Sequence, residues 1–139
     1  MKINIVSSDK RYIRLNELMK NDGYNSKVCT PNDCDKCDCI VLSVRNEFDD
    51  DELSELFSNT EPDTLVLCGN KSRVENHFLG RVVDYSNNEY FLQKNADLTA
   101  EATISYLHSL TKESLNGKSV FISGYGRIGK SLCKLLKSL

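Results

Sequence analysis

Apolar and polar positions along the chain fall into two alternating periods. "KINIVSS" (2–8) packs Ile3, Ile5 and Val6 into a short apolar run and predicts a strand. "KRYIRLNELMKND" (10–22) then places Tyr12, Leu15, Leu18 and Met19 on one helical face, with Asp9 before it as N-cap and Gly23 as its stop. "NSKVCT" (25–30) and "CIVLSV" (39–44) read as the next strands, the second apolar enough to be buried on both faces. "DDDELSELFSN" (49–59) predicts a helix whose first turn is crowded with acids, where the helix dipole favours them. A strand "TLVLCG" (64–69), a short helix "SRVENHFLG" (72–80) with Val74 and Phe78 inward, and a strand "RVVDYS" (81–86) follow, closed by a polar turn at Asn87–Asn88.

The last third reads differently. A helix from Thr99 to about Thr111 carries one apolar stripe at Ala100, Ile104 and Leu107 and a second at Ala102, Tyr106 and Leu110, as expected of a helix packed between two bodies. Lys112–Lys118 is a polar turn, "SVFISG" (119–124) a sixth strand, and Ile128, Leu132, Leu135, Leu136 and Leu139 recur at helical spacing. Repeated strand–helix alternation predicts an α/β fold with a parallel sheet between helices, in the order 2-1-3-4-5. Residues 1–98 form the first domain, 99–112 a connector helix, and 119–139 the opening of a second.

Composition narrows the function classes. With 139 residues and a net charge of −2, the chain has no overall field suited to nucleic acid. Residues 33–61 hold ten acids against two bases and residues 112–137 six bases against one acid, which solvated faces of different helices explain. No apolar run reaches membrane-spanning length, and the start is too short and strand-like for a signal peptide. We therefore read a cytoplasmic protein of bacterial type. Of the six cysteines, Cys29, Cys34, Cys37 and Cys39 crowd the end of one strand and the start of the next. A strand residue points to one face, so four thiols converging on one ion is awkward, and no metal is expected. A structural disulfide is not expected in a reducing compartment.

The most specific motif is Gly124-x-Gly126-x-x-Gly129, set between a strand and an amphipathic helix. Gly124 permits the tight turn, Gly126 lets backbone approach a pyrophosphate, and Gly129 lets helix and strand pack closely. Arg127, Ile128 and Gly129 then present free amides at a helix N-terminus. The acid that holds the cofactor's ribose stands about 20 residues further on in such sites, and no second strand is present to carry it. The expectation is a dinucleotide-binding domain truncated after its first helix.

Taken in order, several short motifs resemble the N-terminal part of the oxidoreductase subunit of dipicolinate synthase. Asp9 and Arg11 match that family's Asp-x-Arg turn, with Ser7 and Ser8 where a glycine pair is usual. Asn95, Thr99 and Glu101 match an Asn ahead of a Thr-x-Glu-Gly helix start, with Ala102 in place of the glycine. The dinucleotide glycines follow at the expected distance. The resemblance implies a flavodoxin-like substrate domain joined to a Rossmann domain, and NAD(P)-dependent oxidation of a dihydro- or hydroxytetrahydrodipicolinate during spore formation, with the synthase's flavoprotein-like second subunit as partner.

Ligands of open parallel sheets sit at the strands' carboxyl ends. That places Asp9, Arg11, Arg45, Asn95 and Thr99 as candidate substrate contacts. Arg11 and Arg45 suit a dicarboxylate, Asp9 serves equally as an N-cap, and Glu101 is the candidate general base or simply an acid in a first helical turn. Two rival readings stay open. One is another two-domain dehydrogenase of the 2-hydroxyacid type. The other is a receiver-like module, against which stand Ser-Ser-Asp and Ser-Val-Arg where receivers carry acids. The chain alone is expected to bind NAD(P) weakly or not at all and to be inactive, with residues 119–139 either a disordered tail or the seam of a homodimer.

Overall fold

In the computed structural model, which describes residues 1–45 and 47–139, the alternating pattern of the first part becomes a parallel sheet. Its strands are β1 (Lys2–Val6), β2 (Asn25–Cys29), β3 (Cys39–Leu42), β4 (Leu65–Cys68) and β5 (Arg81–Asp84), in the order β2-β1-β3-β4-β5. Every neighbouring pair is parallel, so the expected order holds. β1 lies between β2 and β3, with Val6 level with Cys29 on one side and Leu42 on the other.

Alternation along the strands serves two cores. Ile3, Ile5, Cys39 and Val41 face helix α1 (Lys10–Asn21), which covers them with Tyr12, Leu15 and Met19. Leu18, expected on that face, is instead 46% exposed. Asp9 caps α1 through the Arg11 amide. Gly23, at φ 85°, ends it, with the Gly23 and Tyr24 amides bonded to the Lys20 and Met19 carbonyls; this paired closure requires a left-handed residue. On the other face Val6, Ile40, Leu42, Val66 and Cys68 pack against Leu53, Leu56 and Phe57 of α2 (Asp50–Ser58), Val74 of α3 (Lys71–Glu75), and Phe78. The Phe57 and Phe78 rings stack at 5.0 Å. Each large side chain so buried contributes about 1.5–3 kcal/mol. Asp49 and Glu52 close a reciprocal capping box on α2.

The crossover from β2 to β3 carries a single 3-10 turn, Pro31–Asp33, where parallel connections usually carry a helix. It must pass over β1, and there the fully buried Asn4 amide donates to the Asp35 carbonyl at 2.7 Å. Cys29, Cys34 and Cys37 pack on the Val6 face, while Cys39 faces α1. Among the described residues no three His, Cys, Asp or Glu side chains are placed to hold a metal ion.

The chain divides into two units at Asn87–Asn88, so residues 88–98, assigned above to the first domain, belong with the second. The helix expected from Thr99 begins at Glu89: α4 spans Glu89–Thr111, capped by Asn88, and ends at Lys112 in the left-handed region. Glu101 therefore lies well inside the helix, and the first-turn reading of it is withdrawn. Ala96 and Ala100 are buried. The second stripe is open, with Tyr106 64% and Leu110 61% exposed. Residues 119–123 form no strand, and Phe121 is 92% exposed. A strand exists only by pairing, and the described residues of this unit offer it no partner. Helix α5 (Arg127–Leu136) follows, tied to α4 where Ser131 donates to Asp97 at 2.7 Å and accepts from Gln93 at 3.1 Å. No helix among the described residues is long and apolar enough to cross a membrane.

Candidate functional site

Two sets of residues carry the candidate chemistry, one in each unit. The first lies where β1, β3 and β4 end. Tyr12 and Tyr85 set its frame. The Tyr85 hydroxyl donates to the Leu42 carbonyl at 2.8 Å and meets the Tyr12 hydroxyl at 2.9 Å, and Tyr12 accepts from the Val44 amide at 3.0 Å. With the Tyr85 proton spent on Leu42, Tyr12 must donate to Tyr85. The chain leaving β3 is thus held at two backbone groups, on either side of Ser43. Burial, helped by Tyr12, pushes the Tyr85 hydroxyl well above the usual range, so it stays protonated and keeps donating. Gly69, at the exit of β4, packs so closely on this segment that a Cβ there would stand 2.5 Å from the Val44 Cα.

Within that frame Asp9 and Arg11 bind each other. The Arg11 amide and Nε both reach the Asp9 carboxylate at 2.9 Å. The Arg11 side-chain hydrogen bond is the main reason the Asp9 carboxyl falls to about 2, and Arg45 adds to it through space. Asp9 thus engages Arg11 from within the same turn.

Glu47 is a site residue that no sequence motif marks. Its carboxylate accepts from the Ser7 hydroxyl at 2.8 Å, from the Ser8 amide at 2.9 Å and from the Ser8 hydroxyl. Burial opposes its ionisation, yet these bonds, led by the Ser8 hydroxyl, hold it down at about 2. The serine pair that replaces glycines therefore builds a seat for a carboxylate. The partners are 40 residues apart, and no local pattern announces such a contact.

The second set is the glycine turn. Gly124 sits at φ 97°, a conformation that L side chains rarely adopt. A Cβ on Gly129 would stand 2.3 Å from the Gly124 carbonyl, so the helix packs on the turn as closely as the motif requires. Gly126 is the N-cap of α5, has no side-chain capping bond, and faces open space. The amides of Arg127, Ile128 and Gly129 open this helix, and such uncapped donors suit an anion. The Arg127 guanidinium is held by Glu89 at 2.8 Å. An open cleft of about 600 Å³ lies against the turn, lined among others by Asn95, Ala96, Gly124, Gly126 and Leu132. Asn95 is thus brought beside the glycines within the second unit. Thr99 turns back onto its own helix, donating to the Asn95 carbonyl at 2.7 Å. Glu101 is exposed.

The fold is similar to that of a dipicolinate synthase subunit. The crystal structure of that protein from Bacillus halodurans matches with a TM-score of 0.68 at 16% sequence identity. The match covers 99% of this chain and 58% of the synthase chain, so this chain spans little more than half of its length. No protein-family model and no curated protein matches the sequence. At this identity the likeness is one of fold: a parallel α/β sheet followed by a Rossmann-like turn. The glycine turn fits the phosphate-cradling part of a dinucleotide site by its own geometry, through the left-handed Gly124, the Gly129 contact and the uncapped amides.

Proposed function

We propose that this chain is the substrate-side domain and first dinucleotide-binding turn of an NAD(P)-dependent oxidoreductase that acts on a small cyclic dicarboxylate, in the manner of dipicolinate synthase. The observation that carries the reading is the built glycine turn. When bound, the nicotinamide supplies the hydride acceptor. The chain's own contribution is positional. The amides of Arg127 to Gly129 hold the pyrophosphate, aided by the helix dipole. Arg11 and Arg45 of the first unit supply guanidinium donors of the kind a carboxylate needs. A substrate of the dihydro- or hydroxytetrahydrodipicolinate class, a flavoprotein-like partner and a role in spore formation belong to the same proposal.

The test is a backbone-amide NMR titration of the 139-residue chain with NAD⁺ and NADP⁺. Shifts confined to residues 124–130 and saturating only in the millimolar range are expected, because the turn supplies phosphate contacts alone. Gly126→Ala should remove them without unfolding the chain, since its Cβ would enter open space where the phosphates approach. An unmoved turn at saturating dinucleotide sinks the cofactor assignment. Micromolar affinity sinks the view that the turn acts without the rest of a cofactor site.

A further inference from the structure

The cysteines of the β2–β3 crossover do not behave as one group. Cys39 and Cys68 are fully enclosed in the two cores, where burial raises their thiols and makes them inert filling. Cys29, Cys34 and Cys37 are half-buried and reduced, lying together at the edge of the Val6 face. Cys34 stands in the middle. The Asn4 side chain, fully buried on β1, directs its Nδ2 at the Cys34 sulfur at 3.2 Å. The same Nδ2 donates to the Asp35 carbonyl at 2.7 Å, and this bond fixes which end of the amide faces the sulfur. One buried amide thus serves both the crossover backbone and the Cys34 sulfur.

The charged groups around Cys34 come from two strands and the crossover itself. Lys27 of β2 reaches the Asp33 carbonyl at 3.1 Å and the Asp35 carboxylate at 2.6 Å, and Lys2 of β1 lies 3.6 Å from Asp35. Hydrogen bonds from the Cys29 and Cys37 thiols, then from Asn4, and the charge of Lys27 favour the Cys34 thiolate over the opposing effect of burial. Its two neighbours are correspondingly held protonated. Asp35 and Lys36 are exposed, so a small reagent can reach the loop.

We propose that this crossover is a thiol–disulfide exchange site, with Cys34 as the attacking sulfur, Cys37 as the resolving thiol, and a low-molecular-weight disulfide as the oxidant. The Cys34 thiolate attacks one sulfur of the small disulfide. A mixed disulfide forms and one small thiolate leaves. The Cys37 sulfur then attacks Cys34, its proton passes to solvent or to the departing thiolate, and the second small thiol is released. Two protein thiols are oxidised by two electrons and one small disulfide is reduced to two thiols. Cys37 takes the resolving role because it stands three residues from Cys34 on the same crossover segment. Cys29 is fixed in the ladder opposite Val6.

The experiment uses the reduced 139-residue chain with glutathione disulfide as the probe. Trypsin divides this region at Lys27, Lys36 and Arg45. Cys29 and Cys34 therefore fall on one peptide, 28–36, and Cys37 and Cys39 on the next, 37–45, so fragmentation of the linked pair assigns the two sulfurs. We expect a product lighter by two hydrogens, with these two peptides joined through Cys34 and Cys37. Cys37→Ser should instead accumulate glutathione on Cys34. Iodoacetamide at pH 7 should label Cys34 at least about tenfold faster than Cys133 of the second unit. A closed loop within 28–36 overturns the pairing. Six thiols alkylated at similar rates, with no internal link formed, overturn the site.

Discussion

Tyr85 shows how much of this fold rests on single polar atoms. Its hydroxyl is the only part lost in Tyr85→Phe, yet the Leu42 carbonyl and the Tyr12 hydroxyl both lose a partner. We expect a loss of about 1–2 kcal/mol in urea unfolding. Tyr12→Phe should cost a similar amount, and the double variant less than the sum, because the two hydroxyls act in one chain of bonds. Glu47 gives a pH-dependent counterpart. Its carboxyl falls from 4.5 to about 2 on folding. A depressed acid stabilises above its unfolded pKa, and that stability is lost as pH falls through the folded value. Glu47→Gln should therefore melt lower than the parent at pH 7, and the gap should close as pH is taken from about 4.5 towards 2. Solvent screening limits the effect to about 1 kcal/mol. The contrast with Asp9 explains what the sequence could disclose. Asp9 bonds an amide two residues on, inside the window that a capping pattern covers. Glu47 bonds serines brought to it only by the β1–β3 pairing.

At the scale of elements, the period and the order of the sheet were legible, and the bounds of the later elements were not. The alternation of strand and helix announces the parallel sheet, because each apolar run must be buried on both faces. The true start of α4 was hidden. Its first turns bury a small alanine, Ala96, while Tyr90 and Leu98 point outward, so residues 89–98 lack a strong apolar stripe. Its N-cap, Asn88, stood in a pair of asparagines that also makes a good turn. The strand expected at 119–123 failed for a different reason: composition suits a strand there, but ladder partners are not a property of the segment. Close packing between elements is equally invisible in sequence, and Gly69 is the case to test. Its Cβ would press on the Val44 backbone, which the tyrosines already hold, so Gly69→Ala should cost about 1–3 kcal/mol in thermal or urea unfolding.

At the scale of the molecule, the second unit leaves Phe121, Tyr125 and Ile128 open to water beside a segment with unpaired backbone. Such a surface invites pairing with another chain. We expect light scattering to report a dimer for the whole chain at tens of micromolar and a monomer for residues 1–112. Equal particle mass per chain in both would assign assembly elsewhere. The first unit presents the opposite case, because β1 is bonded on both edges and supplies side chains to both cores. No partial opening frees its amides without dissolving both cores at once. Deuterium uptake at Ile3 to Val6 should therefore proceed only through complete unfolding of this unit. The slowest amides of one short strand then serve as a gauge of the stability of the whole sheet, and a change made anywhere in the sheet can be weighed by watching that strand.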